Sequence, residues 1–172
     1  MVKLIAYQVL PGVHPSLLER VREIYNENLS DLATKPLTYL SSRQQQTWWT
    51  SIDHTKITLH VYSPAETPWD ICAFSKVTDR GSFSTPIYAV DKRWWRRGYG
   101  TEIIRHSIEV AGKPLYAEHL LANEVIRRIH MRAGWASLGM YDGVEYLYHP
   151  GLNPDQRQQE IYDEIIRYRE RR

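Results

Sequence analysis

The sequence predicts an α/β fold, a mixed central sheet sandwiched by helices with an extra helix at the C-terminus. Three observations predict it. The spacing of apolar residues switches repeatedly between a period of two and a helical period, in the order β-α-α-β-β-β-α-β-α-β-β-α. The chain has 172 residues, of which 42% are hydrophobic, which is one domain with a real core. No internal repeat, low-complexity tract or long linker interrupts it, and nine Gly and nine Pro punctuate it evenly.

Residues 2–10 are rich in β-branched and aromatic types and end at Pro11-Gly12, which predicts a strand. Ser16 and Glu19 have capping-box spacing, and Leu17, Val21, Ile24 and Tyr25 follow on one face, which predicts a helix over 16–29. Ser41 or Ser42 can cap a second helix through residues 44–52. There Trp48 and Trp49 point about 100° apart, so they cannot both face the core. Strands follow at 57–62, 71–77 and 83–90, the last two joined by a turn at Thr78-Asp79-Arg80-Gly81. Residues 98–111 return to helical period and stop at Gly112 and Pro114. Then come a strand at 115–120, a helix at 123–132, a strand at 135–140, an Asp142-Gly143 turn and a strand at 144–148. Residues 154–170 form a highly charged helix with Ile161, Ile165 and Tyr168 on one stripe. The expected division is 1–152 as the domain proper. Residues 153–172 form a helix that docks on that domain or at a dimer interface, so the chain is a monomer or a homodimer.

Composition excludes extremes. Twenty-two Lys and Arg against 20 Asp and Glu give a net charge of +2, neither polybasic nor acidic. A single cysteine, Cys72, rules out an internal disulfide and a multi-cysteine zinc site. It points to a reducing compartment and reads as a small core residue rather than a nucleophile. No apolar run approaches a membrane span, and residues 1–10 lack a signal-peptide cleavage site. The expected location is cytoplasmic, with no membrane contact and no metal.

The most informative stretch runs from Ile87 to Thr101, where a strand passes through a loop into a helix opened by Gly98-Tyr99-Gly100-Thr101. Glycines let backbone amides approach an anion, and a helix N-terminus carries partial positive charge. Lys92, Arg93, Arg96 and Arg97 place four cations beside it. A tight turn with a solvated basic edge would carry the same letters. The spacing is neither a dinucleotide fingerprint nor a P-loop, because no third Gly or Gly-Lys follows.

These residues resemble the GNAT superfamily of acyl-CoA-dependent N-acyltransferases. Val90, Arg96-Arg97-Gly98-Tyr99-Gly100, Ala117-Glu118-His119, Asn123, His130 and Gly134-Trp135 match the family's pattern in order and spacing from about residue 84 to 148. The family's sheet is mixed and mostly antiparallel, with helices on both faces. The resemblance implies acetyl-CoA as co-substrate. Its pantetheine would pair with backbone at Tyr88, Ala89 and Val90 on a splayed strand edge. Its pyrophosphate would rest on Arg96, Arg97, Gly98, Tyr99, Gly100 and Thr101, and Asn123 would bond the cofactor or start a helix. Glu118 matches a base found in some ribosomal-protein N-terminal acetyltransferases, although a Glu here could equally pair with Arg127 or Arg128. His130 stands where the family has Tyr, and imidazolium could protonate the leaving thiolate. Trp95 stands where the family prefers Arg or Gln. Ser84 stands where another base often sits. Pro86 conflicts with an interior strand unless that strand is bulged or splayed.

The expected reaction is acetylation of a primary amine on a small molecule or peptide, with Glu118 as base and His130 as acid. Asp31, Tyr39, Trp48 and Trp49 could form an aromatic and acidic cleft for a cationic amine. Residues 92–132 hold nine Lys/Arg against four Glu, so nucleic acid, such as aminoacyl-tRNA or a modified base, is the alternative acceptor. A non-catalytic acyl-CoA-binding module is the third reading, prompted by the missing Tyr and the Ser84 position.

Overall fold

The computed structural model describes residues 3–32, 38–152 and 158–171. Residues 2 and 154–157, included above in a predicted strand and helix, lie outside these, as does the start of the 153–172 segment. The strands are β1 (Leu4–Val9), β2 (Ile57–Pro64), β3 (Ala73–Asp79), β4 (Ser84–Val90), β5 (Leu115–Leu120), β6 (Ala136–Tyr141) and β7 (Val144–His149). The helices are α1 (Pro15–Glu27), α2 (Leu29–Leu32), α3 (Ser42–Ser51), α4 (Tyr99–Ala111), α5 (Glu124–Arg132) and α6 (Gln158–Glu170). One sheet carries all seven strands in the order β1-β2-β3-β4-β5-β7-β6, antiparallel throughout except between β4 and β5.

Local chemistry explains most element ends. Ser41 caps α3 and Gln44 returns the bond, the full capping box. At α1 the expected cap at Ser16 is replaced by His14, whose ring accepts from the Ser16 amide, with Pro15 supplying a preset φ in the first turn. The short α2 was not predicted; four residues are too few to show a period.

Alternation divides the sheet into two faces. On one face, α1 and α3 cover β1–β4 through Leu18, Val21, Ile24 and Trp49 against Leu59, Val61, Phe74 and Ala89. Farther along that face, Ile161 and Ile165 of α6 bury against Phe83 and Tyr116. On the other face, α4 sets Tyr99 and Ile103 against Tyr62 and Ala73, while Ile104 and Ile108 meet Leu115, Ala117 and Leu147. Ile126 and Ile129 of α5 join the latter group. Cys72 is fully buried in this core, and burial pushes its thiol up to about 12, so it is a packing residue.

The β4–β5 pair decides where a ligand can enter. It has one register pair, Ser84 with Leu115, where the Ser84 N–H donates to the Pro114 carbonyl at 2.8 Å, before the strands part. The Asp91 amide turns the other way, to the Cys72 carbonyl of the strand on the far side. Even-numbered residues of β4 therefore direct their backbone groups toward β5 and the gap. Pro86 is the first of them beyond Ser84. Its missing N–H falls just past the last paired residue of the β4–β5 ladder, so it interrupts no pairing and the apparent conflict disappears.

Candidate active site

The gap runs straight into the basic loop. Asp91 caps a single 3-10 turn (Lys92–Trp94), and Arg96 (φ 62°) and Gly98 (φ 82°) both take left-handed conformations before α4 begins. Gly98 caps α4 without a side-chain bond, and the Thr101 amide turns back to the Gly98 carbonyl, so the amides of Tyr99 and Gly100 are those left to face a ligand. An anion placed there would meet amides and the positive end of α4 together.

Not all four cations are available. Asp91 is fully buried and accepts from the Arg93 amide at 2.8 Å, from the Arg93 side chain and from Arg20. Burial pushes its carboxyl up, but the Arg93 and Arg20 hydrogen bonds outweigh that and hold it below the usual range. Arg93 is therefore neutralised as a structural partner, which corrects its reading as an anion-binding cation. Lys92 lies over the Trp95 ring at 5.4 Å and Arg97 over Trp94 at 4.7 Å. The Trp95 indole donates to the Val90 carbonyl at 2.8 Å, pinning the loop to the end of β4.

Of the residues expected to hold acetyl-CoA, Tyr88 and Val90 direct backbone groups into the gap, whereas Ala89, an odd-numbered residue, directs its own to β3. Gly100 sits under α5: a Cβ there would meet Ile129 Cδ1 at 3.4 Å. Thr101 lies in the first turn of α4, its amide bonded to the Gly98 carbonyl. Asn123 caps α5, its Oδ1 accepting from the Ile126 amide at 3.2 Å.

The proton-handling candidates fall on opposite faces of β5. Glu118 shares a face with Ala89 and Tyr116, and Tyr116 donates to its Oε1 at 2.9 Å. Arg127 and Arg128 do not hold it, because they pair with Glu145 and Glu124. His119 points the other way, 3.1 Å from Glu145 Oε2.

His130 is only 1% exposed, hydrogen-bonded to the Tyr88 hydroxyl and stacked on His119 at 5.7 Å. Burial, with His119 adding to it, pulls its pKa down to about 3. A ring so placed is neutral near pH 7, so the expected imidazolium acid is not what this geometry offers. What it offers is an acceptor that fixes the Tyr88 phenol, which burial keeps protonated.

The aromatic cleft is also revised. Trp49 is a core residue and Trp48 packs against the same cluster with Lys76 over its ring. Tyr39 is exposed with Arg22 at 5.8 Å from its ring centre. Asp31 remains on α2, which approaches β5 from the Glu118 side. Missed from the sequence were Arg20 and Asp91, 71 residues apart, and the Tyr88–His130 bond. The Tyr116–Glu118 pair had a signal in its spacing of two along a strand. Among the described residues no cluster of three His, Cys, Asp or Glu could hold a metal ion, and no helix is long and apolar enough to cross a membrane.

A seven-stranded, mostly antiparallel sheet, parted between two parallel strands above a glycine-capped helix, is the fold of the GNAT superfamily. Solved structures with this fold superpose closely. Spermidine N-acetyltransferase from Vibrio cholerae, solved with CoA and spermine, gives a TM-score of 0.72 at 12% identity over 86% of this chain and 95% of that one. A GNAT superfamily phosphinothricin acetyltransferase from Sinorhizobium meliloti, solved with AcCoA, gives 0.69 at 12% identity over 89% and 94%. A GNAT-family acetyltransferase from Streptococcus pneumoniae gives 0.64 at 14% identity over 86% and 99%. No protein-family model matches the chain. No curated protein matches it in sequence.

Proposed function

We propose that the protein is an N-acetyltransferase that moves an acetyl group from acetyl-CoA to a primary amine of a small molecule or peptide. The observation that carries this is the continuity of the β4–β5 gap with the N-terminus of α4, which has no side-chain cap. The neighbours solved with CoA or AcCoA support the same reading.

The residues fit the co-substrate. Tyr88 presents its backbone groups and Val90 its amide for the pantetheine, the Val90 carbonyl being taken by Trp95 and Asn28, and the α4 amides with Arg96 and Arg97 meet the pyrophosphate. Acetyl-CoA would supply the activated acyl carbonyl. Glu118, on the α2 side of the gap, takes the proton of the incoming ammonium directly or through water. Tyr88 holds the proton for the departing thiolate on its hydroxyl, oriented by His130.

Charge placement favours a small acceptor over nucleic acid. Of the nine Lys and Arg between 92 and 132, five are paired with carboxylates: Arg93, Arg105, Lys113, Arg127 and Arg128. Three of the other four, Lys92, Arg96 and Arg97, belong to the loop assigned to CoA phosphates.

The test is thiol release from acetyl-CoA across a panel of amines, alongside calorimetric titration of acetyl-CoA. Turnover with at least one amine, lowered about 100-fold but still measurable in Glu118→Gln, is expected. Binding of acetyl-CoA with background turnover throughout would convert the reading to a non-catalytic acyl-CoA module.

A further inference from the structure

We infer that Tyr116 is a positioning residue for Glu118 and that α6, through Tyr168, is the brace that keeps it in place. The inference rests on the acetyltransferase reading above and adds to it a role for a helix at the C-terminal end of the chain.

Tyr116 and Glu118 alternate onto the same face of β5, and the Tyr116 hydroxyl donates to Glu118 Oε1 at 2.9 Å. A base that must meet one ammonium loses rate if its carboxylate wanders. A donor fixed on one of its oxygens restricts that motion.

The donor itself is held with unusual completeness. Tyr116 is 1% exposed, and three rings from three different elements enclose it. Phe83 from the β3–β4 turn meets it edge-on at 6.4 Å, Tyr168 of α6 meets it edge-on at 5.9 Å, and Tyr146 of β7 stacks on it at 6.5 Å with 13° between planes. Tyr146 is also the register partner of Glu118. The carboxylate is thus flanked by its hydroxyl donor along the strand and by an aromatic ring across it.

Tyr168 does not reach Tyr116 by chance. Ile161 and Ile165 on the same stripe are buried against Phe83 and Tyr116. Ser82 in the β3–β4 turn donates to Glu164, and the Arg80 guanidinium lies 5.7 Å from the centre of the Tyr168 ring. Two of these contacts fasten α6 to the β3–β4 turn, and the packing of Ile161, Ile165 and Tyr168 on Tyr116 fastens it to the strand that carries Glu118.

A buried tyrosine needs a partner for its hydroxyl whatever its role. The experiment therefore reads coupling, using the full chain with acetyl-CoA and the best amine of the panel. Tyr116→Phe keeps the ring and removes the donor. It is expected to lower kcat about 10-fold or more, with the calorimetric Kd for acetyl-CoA within twofold of wild type. In a Glu118→Gln background the same change should cost nothing further. Tyr168→Ala should lower kcat in wild type and not in Glu118→Gln, even though it leaves the Tyr116 hydroxyl in place.

Wild-type kcat in Tyr116→Phe, or losses that multiply in the double variant, overturns the positioning role and leaves the acetyltransferase reading intact. Background turnover by the wild-type protein overturns both.

Discussion

His130 occupies the position at which a proton donor was expected, yet its surroundings deny it a charge. Its ring touches Tyr88, His119 and Trp135, and a pKa pulled down to about 3 keeps it neutral across the whole range in which an acetyltransferase would be assayed. An ionisation outside that range cannot shape a pH profile inside it. His130→Gln is therefore expected to lower kcat by loosening Tyr88 while leaving the shape of the kcat profile between pH 5.5 and 8 unchanged. Tyr88→Phe should lower kcat about 100-fold, the usual scale for losing a positioned acid. A limb near pH 6.5 that vanishes in His130→Gln would restore the imidazolium. The residue letters could not separate these cases. A histidine four positions before Gly134 reads the same whether its ring is wet or sealed, and only the packing of β4 against α5 decides.

The loop from Asp91 to Gly98 shows what an element adds to its residues. Its glycines serve different ends. Gly98 needs its left-handed φ of 82°, so Gly98→Ala should cost about 1–2 kcal/mol in urea denaturation and weaken acetyl-CoA binding. Gly100 has ordinary helical geometry and only the flexible tip of Ile129 near it, so Gly100→Ala should fold normally, with any loss confined to the ligand. Equal stability losses in the two variants would mean that the loop conformation is not what the first glycine supports. The motif itself was legible because its parts are contiguous: strand, turn and helix lie within 15 residues, and local chemistry writes each. The fate of Arg93 was not, because its partner Asp91 is held from the far side by Arg20 of α1. Pro86 likewise made sense only once the parting of β4 and β5 was known. The aromatic residues misled for a related reason: Trp48 and Trp49 carry a helical period too short to show that both sit against the sheet.

Across the whole molecule, titratable groups are distributed unevenly between the two faces of the sheet. His60, His106, His119, His130 and His149 all lie on the α4–α5 face, and burial lowers the pKa of every one, to about 4 for His60 and about 3 for His130. The folded chain keeps these rings neutral, whereas the unfolded chain protonates them near 6.5. Stability is therefore complete above about pH 6.5 and is lost as pH falls from there toward the folded pKa values. Each ring contributes at most about 1.4 kcal/mol per pH unit. Asp91 acts in a separate window: its lowered carboxyl pKa gives stability above its unfolded value of 3.8 that is lost only below it. Urea denaturation at half-unit steps from pH 7.5 to 4.5 is thus expected to show a steep decline beginning near 6.5, long before carboxylates titrate. His130→Phe should reduce the slope by about one proton, because the unfolded chain then has one fewer site to fill. Acetyl-CoA should raise the whole curve without moving its onset, and so lower the pH at which the chain unfolds, since a ligand at the N-terminus of α4 binds only the folded state. A stability curve flat to pH 5 would mean that water reaches these rings and that the α4–α5 face is open. In that case Tyr88 would also lose the dry surroundings on which its hold on the proton depends.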